Sequence, residues 1–152
     1  MTKTINLGVL GIDHGHIFDM LDEMLKEGCS CNYFWTEGSP LTLDEFTKKY
    51  PQIKRVDNKH DMLNDNTIDL VLLSSIPKAR ANLSIDAMKA GKDVMVDKPG
   101  CTTLEQLNNL KQTVKETGKI WSINFSERFH VAAGTKAEEM VADGKIGKVK
   151  QT

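Results

Sequence analysis

Net charge is almost absent from this chain: 20 Lys and Arg stand against 21 Asp and Glu, a formal charge of −1. That balance removes any general electrostatic case for nucleic acid or an anionic membrane as a partner. Long apolar runs are missing as well. The longest purely aliphatic stretch, Leu70-Val71-Leu72-Leu73, is far too short to cross a bilayer. Residues 1–30 lack the basic start, apolar stretch and small-residue cleavage site of a secretory signal. Cysteine is scarce and odd in number: Cys29, Cys31 and Cys101 show no C-x-x-C spacing, and fit reduced thiols rather than a disulfide framework. There is no internal repeat, low-complexity tract or linker. What is present, 152 residues that are 39% hydrophobic and 27% charged, excludes disorder. A chain of that length buries roughly two-thirds of the surface its unfolded form exposes. The expectation is one soluble domain in the cytoplasm.

Stretches of strand length alternate with helical periodicity. Thr4 to Leu10 is β-rich and stops at Gly11. Ile17, Met20, Leu21, Met24 and Leu25 then recur at i, i+3, i+4, i+7 and i+8, one apolar stripe of a helix, with Gly28 placed for a left-handed cap. Asn32 to Thr36 reads as a short aromatic strand. A helix over 42–49 stops before Pro51, since the residue preceding proline is pushed out of the helical region. Lys54 to Val56 gives a third strand. Asp69 to Leu73 is a continuous apolar run, the mark of a strand buried on both faces. A helix over 79–90 ends at Gly91, and Asp93 to Val96 is the fifth strand. Thr102 and Glu105 stand at capping-box spacing before Leu104, Leu107, Leu110 and Val114, with Gly118 closing the helix. Ile120 to Phe125 is a sixth strand, and Ala132, Ala133, Ala137, Met140 and Val141 mark a last helix. Strands separated by helices of about ten residues mean βαβ units with right-handed crossovers. The fold class is therefore α/β, a doubly wound, mostly parallel sheet of Rossmann type with helices on both faces. The tail, Lys145 to Thr152, reads as a turn leading into a further strand, as in a fragment of a longer protein.

The segment from Asp69 to Phe129 carries an ordered set of motifs. Asp69 to Pro77 (DLVLLSSIP) resembles a strand ending in a Thr-Pro or Ser-Pro turn. Ala87 to Val94 (AMKAGKDV) is similar to an A-L-x-A-G-K-H-V run, Asp97-Lys98-Pro99 to E-K-P, and Asn124 to Phe129 to a strand ending in R-F. Gly144 to Val149 (GKIGKV) resembles a glycine-rich entry into a second domain. Together they resemble the glucose–fructose oxidoreductase, inositol dehydrogenase and rhizopine-catabolism (Gfo/Idh/MocA) family. The resemblance implies residues 1–125 as an NAD(P)-binding Rossmann domain, and 126–152 as a crossover helix and the start of a missing C-terminal domain. It implies hydride transfer to or from a sugar, cyclitol or related alcohol carbon, with that second domain supplying much of the substrate site and the homo-oligomer interface. A carbohydrate or polyol is thus the expected partner. The fragment alone is expected to bind rather than react.

The first turn departs from the family pattern. A G-x-G-x-x-G fingerprint supplies a tight turn, room for the pyrophosphate and close helix packing. Here the register reads Gly11, Ile12, Asp13, His14, Gly15, His16. Asp13 replaces the second glycine and His16 the third. At ~4 Å and an effective dielectric near 20, a carboxylate and a phosphate charge repel by roughly 4 kcal/mol, about a thousandfold in affinity. Glu37 lies where an acidic side chain accepts the ribose 2′-hydroxyl of NAD and repels the 2′-phosphate of NADP, so NAD is the expected cofactor. A solvated strand-end glutamate is the plainer reading. Ser74, Ser75, Ile76 and Pro77 border the ribose and nicotinamide side. By resemblance Lys98 is the catalytic residue near the nicotinamide and substrate, with Pro99, a candidate for a cis bond, beside it. Asp97 stands for the family's usual Glu. Arg80, where the family usually has His, reads as a solvated arginine at a helix start, with a guanidinium fork for an anion as the sharper alternative. Arg128 either positions substrate or pairs with Asp97. Asp13, His14 and His16 also form an H-x-H cluster suited to zinc. No downstream residue is expected to complete it, so no metal is expected. A non-catalytic Rossmann protein, sensing a ligand or serving as a scaffold, is the alternative function.

Overall fold

Strand and helix alternate as the periodicity predicts. The computed structural model describes residues 4–126 and 131–150. The elements are β1 (Asn6–Ile12), α1 (His16–Lys26), β2 (Ser30–Trp35), α2 (Leu43–Lys49), β3 (Lys54–Arg55), α3 (Lys59–Leu63), β4 (Leu70–Ser74), α4 (Pro77–Lys89), β5 (Asp93–Asp97), α5 (Leu104–Thr117), β6 (Trp121–Asn124) and α6 (Ala132–Ala142). The strands form one sheet in the order β3-β2-β1-β4-β5-β6, parallel throughout. Chain order reverses between β1 and β4. In open α/β sheets, ligands bind at the carboxyl ends of the strands beside such a switch point.

Two apolar layers sandwich the sheet. Leu7, Val9 and Leu72 join Ile17, Leu21, Phe34 and Phe46 on the face covered by α1 and α2. Leu10, Val71, Leu73, Val94 and Val96 join Met62, Leu83, Met88 and Leu110 on the face covered by α3, α4 and α5. Side chains of a strand alternate between faces, so covering both faces demands the unbroken apolar runs of β1 and β4. Each fully buried Leu or Val contributes about 1.5–3 kcal/mol relative to exposure.

The helix ends follow local chemistry. Gly28 adopts φ +86° and donates to the Leu25 carbonyl, closing α1, and Gly118 closes α5 in the left-handed region at φ +67°. The capping box of α5 lies one residue later than the Thr102–Glu105 spacing suggests. Thr103 Oγ1 accepts from the Gln106 amide at 3.1 Å, and Gln106 Oε1 accepts from the Thr102 amide at 2.8 Å. Leu104 is correspondingly exposed, outside the apolar stripe. Helix α3 is not foreseen by the periodicity. Its five residues are capped by the Asn58 side chain and held by burial of Met62 and Leu63. Met62 Sδ lies 2.9 Å from where a Cβ on Gly8 would stand, so α3 sits where β1 has no side chain. The last helix, α6, buries none of its residues. No helix among the described residues is long and apolar enough to cross a membrane.

At the carboxyl end of β1 the pairing with β4 shifts register between Val9 and Ile12. This brings Gly11, at φ +83°, against Ser75: a Cβ there would lie 2.6 Å from Ser75 Cβ and 2.9 Å from Ser75 Cα. Both the positive φ and the contact demand glycine. Gly11→Ala is therefore expected to destabilise the fold by about 2–4 kcal/mol in chemical denaturation; a loss within experimental error would contradict this packing.

Candidate cofactor and ligand site

The loop after β1 turns back on its own groups. The His14 amide donates to the Ser74 carbonyl at 3.2 Å, the His16 amide to His14 Nδ1 at 3.3 Å, and the Ile17 amide to the His14 carbonyl at 3.2 Å. The Asp13 carboxylate feels the backbone amides of Asp13 and Ile76. Much of the anion-binding capacity of a helix N-terminus is thus spent inside the protein. Partial burial and the nearby Glu37 carboxylate push the Asp13 carboxyl above its ordinary value, against the pull of those two amides. Gly15 keeps an ordinary helical φ of −60° with open space around it, so nothing in its conformation requires glycine.

Arg80 is not the solvated arginine suggested by its place near a helix start: it is 2% exposed. Its Nε donates to the Ser75 carbonyl at 2.7 Å. One terminal nitrogen donates to the carbonyls of Asp97 at 3.0 Å and Lys98 at 2.5 Å, and the other reaches Asp97 Oδ2 at 2.9 Å. Burial pulls the Arg80 pKa down, and the Asp97 carboxylate pulls it back up. A guanidinium suits this post because its fixed fork serves several acceptors at once. Three chain segments, the ends of β4 and β5 and the start of α4, are joined by one side chain. The Lys98–Pro99 bond that follows is cis, in line with the tight turn expected there.

Asp97, 1% exposed, also meets the histidines. His16 Nδ1 lies 2.8 Å from Asp97 Oδ1, and His14 Nδ1 lies 3.5 Å from Asp97 Oδ2. The two imidazoles meet edge to face with centroids 4.2 Å apart. The expectation that nothing downstream joins the H-x-H pair is overturned. Parallel pairing of β1, β4 and β5 carries Asp97 to the same sheet edge, a proximity across 81 residues that spacing does not reveal. Asp13 is not part of this group, which comprises His14, His16 and Asp97.

Beside this cluster lies a cleft of about 190 Å³ lined by Gly11, Asp13, Trp35, Glu37, Ser75 and Ile76. Glu37 and Trp35 also line an adjoining cleft of about 620 Å³, with Asn58, Lys59, Asn82 and Asp86. Of the expected site residues, Gly11, Asp13, Glu37, Ser75 and Ile76 thus come together. Ile12 and Ser74 are buried beneath the loop, and Ser74 Oγ donates to the His14 carbonyl. Pro77 opens α4. Lys98 is half-buried and Pro99 exposed at the end of β5. Arg128 lies outside the described residues. Trp35 and Asn58 escaped the sequence reading, since an aromatic strand end and the cap of an unforeseen helix carry no ligand motif.

Removing the Arg80 cation would leave Asp97 charged and buried, which costs about 3–5 kcal/mol. Arg80→Met is expected to lose that much in urea unfolding, and the double variant Arg80→Met/Asp97→Leu to regain most of it. A single variant as stable as the parent would contradict the pairing.

Comparison with known proteins places this geometry. The profile of the Gfo/Idh/MocA oxidoreductase family, NAD-binding Rossmann fold, matches residues 41–125. The NADP-dependent scyllo-inositol 2-dehydrogenase IolW of Bacillus subtilis (strain 168) is 26% identical over 132 residues, covering 83% of this chain and 34% of that protein. The NAD-dependent scyllo-inositol 2-dehydrogenase of the same organism is 32% identical over 92 residues, 60% of this chain and 27% of that one. A crystal structure of a presumed oxidoreductase from Erwinia carotovora atroseptica SCRI1043 superposes with a TM-score of 0.89 at 33% identity, covering 96% of this chain and 44% of that one. The chain therefore spans about a third of the length of the curated relatives it matches. It belongs to the Gfo/Idh/MocA oxidoreductase family and carries that family's NAD(P)-binding Rossmann fold.

Proposed function

We propose that this chain is the cofactor-binding part of an oxidoreductase that moves a hydride between NAD, in preference to NADP, and a sugar, cyclitol or related alcohol carbon. The observation that carries the reading is Glu37, which lines both adjoining clefts beside the switch point, sharing the smaller with Gly11, Ser75 and Ile76. The combined space suits a nucleoside. A carboxylate there accepts ribose hydroxyls and repels a 2′-phosphate. The fit is good at the ribose and tighter at the diphosphate, where Asp13 and the internally used amides leave less for an anion. When bound, the nicotinamide supplies the hydride chemistry.

This chain's own residues bind and orient. Gly11 keeps the turn tight, Ser75 and Ile76 wall the cleft, and Arg80 fixes the turn that carries Lys98. Lys98 is assigned as the cation that polarises the alcohol oxygen or helps pass its proton onward as hydride leaves. Residues 1–125 are assigned to the Rossmann domain, and 126–152 to the crossover into a C-terminal domain that completes the substrate site and forms a homo-oligomer. Kinship to two inositol dehydrogenases supports a polyol substrate. The cytoplasm is the proposed location, with no nucleic acid or membrane partner. One observation favours the second reading, a ligand-sensing or scaffold protein: the His14, His16 and Ile17 amides already have partners.

Calorimetric titration separates the two. NAD binding tighter than about 1 mM, and tighter than NADP, is expected; silence towards both nucleotides would overturn the redox reading and favour the second. Glu37→Ala is expected to weaken NAD and narrow its margin over NADP. Asp13→Gly is expected to tighten NAD by about tenfold or more, roughly 1.4 kcal/mol. Unchanged affinity would mean that Asp13 does not oppose the phosphates.

A further inference from the structure

We infer that His14, His16 and Asp97 form a binding site for one divalent cation of the zinc class, a site that does not depend on the dinucleotide reading. One ligand-type atom from each residue lies within 4.8 Å of the other two. In a tetrahedral zinc site with bonds of ~2.0–2.1 Å, neighbouring ligand atoms stand roughly 3.3–3.4 Å apart. The 2.8 Å between His16 Nδ1 and Asp97 Oδ1 is somewhat shorter than that spacing, and His14 Nδ1 stands 3.5 Å from the other oxygen of the same carboxylate. Small rotations bring the three into register.

The surroundings are those of a built site. Asp97 Oδ2 is taken by Arg80 at 2.9 Å, while the Ser74 hydroxyl, 3.4 Å from that oxygen, has one proton to share between it and the His14 carbonyl. Arg80 holds the carboxylate by Oδ2 and leaves Oδ1, on the His16 side, as the single-atom ligand. Such supporting hydrogen bonds orient metal-binding carboxylates. The two imidazoles come from a rigid strand-to-helix elbow. His16 opens α1, and the backbone of His14 is held by the Ser74 carbonyl and by the Ile17 amide. Side chains differ in freedom: His14 is 54% exposed, His16 25% and Asp97 1%. The deepest ligand is thus fixed, while the shallowest turns its ring at the loss of one long, 3.3 Å contact from the His16 amide. Two imidazoles and one carboxylate suit zinc and its first-row neighbours over magnesium or calcium, which take oxygen ligands. Three protein ligands leave a fourth position for water or the oxygen of a bound ligand. The site lies at the carboxyl edge beside the Gly11–Ile76 cleft.

The test uses the purified chain after chelator treatment, titrated with zinc chloride by calorimetry and with cobalt(II) by visible absorption. The expected result is one equivalent of zinc and the absorption of four-coordinate cobalt. His14→Ala and His16→Ala should each weaken zinc by about tenfold or more, while His60→Ala leaves it unchanged. His14 is exposed, so its variant keeps the fold, which circular dichroism checks. Absence of saturable zinc binding, or equal binding by the His14→Ala/His16→Ala double variant, would overturn the site.

Discussion

A guanidinium and a carboxylate, both withdrawn from water, hold the carboxyl edge of this sheet together. Arg80 reaches from the first turns of α4 to the ends of β4 and β5, and Asp97 faces it from the last position of β5. Neither charge is stable in that setting alone. An isolated ionised group in a protein interior carries a penalty of several kcal/mol, offset only when geometry and hydrogen bonds are good. Here the fork of Arg80 meets carbonyls as well as the carboxylate, so the turn carrying Lys98 is set by the same side chain that neutralises Asp97.

The pair also determines what the neighbouring loop becomes. With Oδ2 of Asp97 engaged by Arg80, its other oxygen faces His16, and His14 of the same β1–α1 elbow stands 3.5 Å from Oδ2. A glycine-rich turn would keep its amides available for a diphosphate. This elbow instead directs several of them inward, to Ser74 and to His14. The family's Rossmann fold is present, and its first strand-to-helix elbow carries carboxylate and imidazole groups. The clefts beside this elbow, by contrast, are lined by the acidic Glu37.

The layered sheet was legible because its causes are local. The unbroken burial of β1 and β4, the stripe from Ile17 to Leu25, and glycines at helix ends act within a few residues of where they are read. The family motifs from Asp69 to Phe129 are equally visible as strings. Helix α3 was not legible, since five residues give too little periodicity and its stability comes from Met62 packing over Gly8. The capping box was misplaced by one because Thr102 and Thr103 are chemically alike, and only tertiary packing selects the second. Arg80 was misread for a related reason. Its charge speaks for solvent, and the carboxylate that makes burial tolerable lies 17 residues away, brought near by the β4–α4–β5 crossover. The meeting of Asp97 with His14 and His16 has the same origin.

The central claim is that the carboxyl edge organised by Arg80 and Asp97 is where the nicotinamide dinucleotide binds. Backbone amide NMR shifts recorded as NAD is added test it most directly. The account predicts saturable shifts concentrated at Gly11 to His16, Glu37 and Ser74 to Ile76, with the amino-end residues Asn6, Leu70 and Asp93 unmoved. Shifts clustered at the opposite edge, or none at millimolar NAD, would contradict it.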